Sequence, residues 1–142
     1  MAKHTIKIKK YADVIEEYAA VGAITPGMLI EVTTADKVQP HSSSAGRALP
    51  MFALEDELQG RGIDVPFAAN ERVQCWLPGR GDMVYGLLAD GETADIGEWL
   101  ESNGDGYLKV GTTAPIGQVV EAVDMSGSTG EDPLNRVIVR IN

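Results

Sequence analysis

The chain has one cysteine, and a lone Cys75 excludes an internal disulfide framework and fits a reducing compartment. No run approaches the ~20 apolar residues that a membrane span requires, and the basic N-terminus is not followed by the apolar core of a signal peptide. Nucleophile elbows, phosphate loops and a GxGxxG turn after a strand are all missing, so nothing in the chain reads as catalytic. His4 and His41 have no Cys, His or acidic companions at ligand spacing, which predicts no metal and no cofactor. Basic residues are also few, 12 against 21 acids, for a net charge of −9. A chain of 142 residues with 44% hydrophobic content is expected to be one folded domain.

The charge is segregated. Lys3, Lys7, Lys9 and Lys10 stand in the first ten positions with no acid among them, which leaves −13 for the rest. An acidic body argues against nucleic acid as a partner, because phosphate binding needs a basic face. The segregation itself suggests a basic arm that sits on something other than its own domain, with a frayed, solvated terminus as the alternative. Thr5-Ile6-Lys7-Ile8-Lys9 alternates like a half-buried strand, which must find an edge, its own or a partner's. In residues 12–21, Val14, Ile15, Tyr18 and Ala19 share a face at helical spacing, and Asp13 with Glu16 suits an N-cap box; a short helix or turn is expected there. Twenty extended residues reach roughly 65 Å, against a radius of gyration of about 14 Å for a body of this size. Residues 1–22 are therefore assigned to an arm and 23–142 to the body.

The body reads as β. Strand-length apolar runs at 73–77, 83–89, 99–100 and 107–110 are separated by Pro78-Gly79, Gly81-Asp82, Asp90-Gly91 and Asn103-Gly104-Asp105-Gly106, all of which are turn chemistry. Further strands are expected at 28–32, with 38–41 as a hairpin partner, at 116–123 and at 136–141. Residues 48–58 fit either a strand or a helical turn, residues 59–70 read as loop, and residues 124–133 as another loop. A small device recurs: Ile24-x-x-Gly27, Phe67-x-x-Asn70 and Ala94-x-x-Gly97 each put an apolar residue three before a turn residue that launches a strand. The pattern predicts a mainly all-β chain with little helix, its small antiparallel strands closing into a barrel or sandwich.

Three local motifs have ordinary readings. Arg80-Gly81-Asp82 spells an adhesion tripeptide but sits between strands, as a hairpin turn would. Glu101-x-Asn103-x-Asp105-Gly106 starts like a calcium loop, yet Thr112 occupies the position of the required bidentate acid. Lys37, ten residues after Gly27, resembles the carrier lysine of lipoyl and biotinyl domains, but those folds need a second β-half before it.

The ordered set of motifs resembles the capsid cement, or head decoration, proteins of tailed bacteriophages with long non-contractile tails. The resemblance lies in Ala23-Ile24-Thr25-Pro26-Gly27-Met28-Leu29-Ile30-Glu31, Val38-Gln39-Pro40-His41-Ser42, Pro50-Met51-Phe52-Ala53-Leu54-Glu55, Asn70-Glu71-Arg72-Val73, residues 96–106, residues 117–124 and Arg136-Val137-Ile138-Val139-Arg140-Ile141. Asn70-Glu71 replaces the family's frequent Gly-Asp, and Asn can take the same left-handed turn. The resemblance implies a β-tulip body akin to the head-stabilising protein of lambda-type phages, and homotrimers on the outer capsid surface at three-fold and quasi-three-fold positions. It also implies an N-terminal arm laid over the major capsid protein. Lys3, Ile6, Lys7, Ile8, Lys9 and Lys10 are the expected capsid contacts, with Ile15 and Tyr18 as apolar anchors. A lipoyl-like carrier domain and a phage tail structural protein of the same fold are the alternatives.

Overall fold

The computed structural model describes residues 3–10, 13–127 and 135–142. Among them are thirteen short strands and one 3-10 turn at Glu57–Gln59. The recurrent device accounts for much of the layout. Gly27, Asn70 and Gly97 have φ of 93°, 68° and 89°, the left-handed values that Gly and Asn tolerate. Each turn is closed by one backbone bond of the same length, from Met28 to Thr25, Glu71 to Ala68 and Glu98 to Asp95, all 3.1 Å. The apolar residue ahead of each turn, Ile24, Phe67 or Ala94, is buried, and Ile24 and Phe67 bridge to one another.

Six strands form one antiparallel sheet: β1 (Lys7–Lys9), β7 (Met83–Leu87), β13 (Arg136–Ile141), β11 (Gly117–Val119), β9 (Trp99–Ser102) and β10 (Leu108–Val110), in that spatial order. A second sheet holds β3 (Ile30–Val32), β4 (Lys37–Pro40), β2 (Ile15–Ala20), β6 (Arg72–Trp76) and β5 (Phe52–Ala53), again in spatial order. Its pairings are antiparallel except β2 with β4, which run parallel. β8 (Thr93–Ala94) and β12 (Val123–Asp124) make a separate two-stranded pair.

The strands are divided among separate sheets and do not close into the single barrel expected. The five-stranded sheet curls until its edges touch at the Leu29–Phe52 bridge, stitched by bonds from Gly27 and Ile30 to Ala53 and Met51 and from Ala53 to Met28. Side chains alternate across each strand, so this curl divides the interior. Ala53, Val73, Cys75, Val38, Ala20, Ile30 and Phe67 fill a small core inside it. Phe52, Trp76 and Leu29 point the other way and join Val84, Leu100, Leu108, Val137 and Val139 in the main core between the sheets.

Two further expectations are corrected. Residues 15–20 form a strand where a helical turn was expected, because Asp13 does not cap a helix: its carboxylate takes ion pairs from Lys7 (3.2 Å) and Lys10. The strand expected at 116–123 is two, β11 and β12, divided by a turn. Ala12, and the part of the 124–133 loop beyond Gly127, lie outside the described residues.

Candidate interaction surface

The basic N-terminal strand lies against its own body. β1 pairs with β7, Lys7 opposite Val84 and Lys9 opposite Met83, with a bulge between. The carbonyl of Ile6 accepts from the Tyr85 N–H at 2.9 Å, and the Ile6 N–H donates to Glu55 Oε2 at 3.2 Å. The Ile6 side chain is fully buried in the main core. Ile6 is therefore corrected: an apolar side chain on the inward face of an edge strand is used by the chain's own core and is not available to another protein. The bulge turns Ile8 partly out, and it is half-buried.

The other expected contacts stay at the surface. Lys9 and Lys10 are exposed, and Lys3 and Lys7 are half-buried. The Lys10 ammonium is held above its ordinary pKa by its bond to Asp13, and the same bond holds the Asp13 carboxyl below its own. Val14 and Ile15 are 51% and 37% exposed. Tyr18 is half-buried on β2 and donates its hydroxyl to Glu16 Oε2 at 2.6 Å, which pushes the phenol's pKa up. β2 is central, pairing with β6 from Ile15 opposite Trp76 to Ala19 opposite Arg72. The expected arm is thus two strands of the body with one basic rim.

Strand register extends that rim across the sheet. Lys9 stands opposite Met83, Met83 opposite Arg140, Arg140 opposite Gln118, and Gln118 opposite Trp99. Paired residues project to the same face, so one row carries Lys9, Arg140 and the Trp99 indole and no acid. Sequence reading missed it, since these positions are dispersed and only the strand order brings them together.

The remaining candidates are structural. Asp82 is buried and its carboxylate accepts from the Gly79 N–H at 2.8 Å, so Arg80-Gly81-Asp82 is a turn whose acid faces inward. Glu101 turns away from Asn103 and Asp105 to accept from the N–H groups of Thr113 and Ala114, both at 3.0 Å. Among the described residues no three His, Cys, Asp or Glu side chains converge on a common point. His41 is buried between Ser102 Oγ (2.7 Å) and the Arg47 carbonyl (3.1 Å). Lys37 donates to Asn70 Oδ1 at 2.9 Å.

Burial pushes the Cys75 thiol up to about 12. A thiol is reactive as its thiolate, so Cys75 is expected to resist maleimide at pH 8 in the folded chain and to label fully in denaturant, as read by intact mass. Labelling of the native chain within minutes would show that the small core opens freely.

No protein-family model and no curated protein matches the chain by sequence. The fold has a counterpart in a crystal structure of the N base of the head fibre protein gp8.5 of bacteriophage phi29, with a TM-score of 0.62, 11% identity, and coverage of 92% of this chain and 95% of that one. The two chains share a fold over nearly their whole lengths.

Proposed function

We propose that this chain is a structural protein of a phage head, a cement protein that binds the outer surface of the expanded major-capsid lattice as trimers at three-fold and quasi-three-fold positions. The observation that carries the reading is the near full-length fold likeness to a head fibre base, and the ordered motifs of the chain agree with it. The function is binding and not catalysis. A protein that binds only the expanded shell stabilises it by mass action, and a trimer clamping several subunits multiplies a modest contact.

Contact is assigned to Lys3, Lys7, Lys9 and Lys10, with Ile8 at the bulge of β1 and with Ile15 and Tyr18 on β2. A basic rim on an otherwise acidic protein suits an acidic shell surface. The test is co-sedimentation with expanded heads lacking the protein. Saturable binding is expected, weakened about tenfold (~1.4 kcal/mol) by Lys9→Glu with Lys10→Glu. Undiminished binding by that variant would move the contact elsewhere, and no binding by the parent chain would end the head assignment. The fold likeness to the base of the phi29 head fibre favours one second reading, the base of a head fibre. Electron microscopy of heads that carry the protein separates the two, since a fibre base has a fibre projecting from each occupied site and cement leaves the lattice without one.

A further inference from the structure

The row that ends at Trp99 opens into a cleft of about 220 Å³, lined by Arg80, Trp99, Gln118, Arg140 and Asn142 among others. Arg80 and Arg140 are exposed, and neither guanidinium has an ion pair or side-chain hydrogen bond among the described residues. By contrast Lys7, Lys10, Arg61 and Arg136 all meet carboxylates. Gln118 is oriented by its amide, which donates to the Gly97 carbonyl at 3.0 Å. Adjacent strands lie about 4.8 Å apart, so Trp99, Gln118 and Arg140 span roughly 10 Å. The cleft therefore offers two forked cations beside an aromatic wall, which suits a carboxylate carried next to an apolar side chain.

The same chain presents that combination elsewhere. The 3-10 turn after β5 projects Leu58, which at 86% is the most exposed large apolar residue described. Glu57 beside it is exposed, with no side-chain partner among the described residues. Asp56 caps the turn by accepting from the Gln59 N–H at 3.3 Å. Glu17 and Arg72 lie on the same side, so the surround stays net acidic. The knob shares no residue with the cleft.

We infer that Glu57 and Leu58 of one copy seat in the Arg80–Trp99–Arg140 cleft of the next, as a head-to-tail contact between copies of this chain. Two different patches make a heterologous interface, which closes into a ring when the rotation allows. The inference deepens the trimer of the proposed function and rests on that part of it. Leu58 meets the indole face, and the Glu57 carboxylate meets the arginine forks.

The test is sedimentation equilibrium of the full chain up to millimolar concentration. The parent chain is expected to self-associate, Glu57→Arg and Arg140→Glu each to weaken association about tenfold or more, and the double variant to regain it by exchanging the charges. Both sites are exposed, so melting temperatures should stay near the parent's. A monomeric parent, single variants that associate normally, or a double variant without recovery would each overturn the contact. Head co-sedimentation keeps the two readings apart. Parent trimers that bind no heads would end the head assignment and leave this contact standing. Loss of head binding by Arg140→Glu but not by Glu57→Arg would place a shell carboxylate in the cleft and overturn the self-contact.

Discussion

Deleting residues 1–20 will abolish folding, not trim an arm. The deletion removes β2, which lies between β4 and β6 and supplies five paired positions to β6 and two to β4. Both neighbours would be left with open edges around a core that has lost Ala20, and unpaired strand edges are aggregation templates. The main core would lose Ile6, and Glu55, itself buried, would lose the Ile6 N–H that it accepts. Domains of this size are stable by only about 5–15 kcal/mol, and a central strand exceeds that margin. The expected product has no cooperative thermal transition and collects in the insoluble fraction. A truncated chain that melts cooperatively with an undiminished β-sheet circular dichroism spectrum would show that residues 1–20 are dispensable after all. Single substitutions should divide along the burial pattern: Ile6→Ala is expected to cost about 2–5 kcal/mol, and Lys9→Ala to stay within about 0.5.

That division shows what the sequence made legible. Alternation in Thr5–Lys9 correctly signals a strand, but alternation cannot say whose edge the strand meets. The decisive partners, Tyr85 and Glu55, are 79 and 49 positions from Ile6 in the chain, and nothing local marks them. The clustering of Lys3, Lys7, Lys9 and Lys10 points outward only if no acid is near, and Asp13 lies three residues from Lys10. The helical spacing of Val14, Ile15, Tyr18 and Ala19 is outweighed by tertiary pairing, since β2 has a partner strand on each side and a short helix would have neither. Turn chemistry survives best, because it is a property of one or two residues. Gly27, Asn70, Gly81, Gly91, Gly97, Gly104 and Gly106 all take positive φ. The cleft at Arg80, Trp99 and Arg140 was invisible for the opposite reason, being assembled from three strands and a turn whose order in the sheet is not their order in the chain.

Replacing Arg136 with Met should destabilise the fold by about 2–6 kcal/mol, more than any surface charge change. Its guanidinium is buried, with Nη1 donating to the Pro26 carbonyl and Nη2 to the Ile63 carbonyl, both at 2.7 Å. It also lies 5.6 Å from the centre of the Tyr85 ring. Burial lowers its pKa, partly opposed by Asp64, but not enough to discharge an arginine. Gly27 is part of the same seat, since its φ is 93° and a Cβ there would lie 2.3 Å from Nη1 and 2.9 Å from the Tyr85 carbonyl oxygen. Methionine would fill much of the volume while leaving two buried carbonyls without donors, at about 1–3 kcal/mol each. Lysine cannot repair this, because one ammonium on a flexible stem does not reproduce a planar fork spanning two loops. The ion pair is the minor part: Asp64 is 53% exposed and 3.3 Å away, and exposed pairs contribute about 0–1 kcal/mol. Chemical denaturation should therefore rank Arg136→Met as most damaging, Arg136→Lys as intermediate and Asp64→Asn as nearly neutral. An Asp64→Asn loss equal to that of Arg136→Met would mean that charge pairing holds the residue. Equal stability of the Met variant and the parent would mean that the Pro26 and Ile63 loops find other donors, and that Arg136 does not tie them to β13.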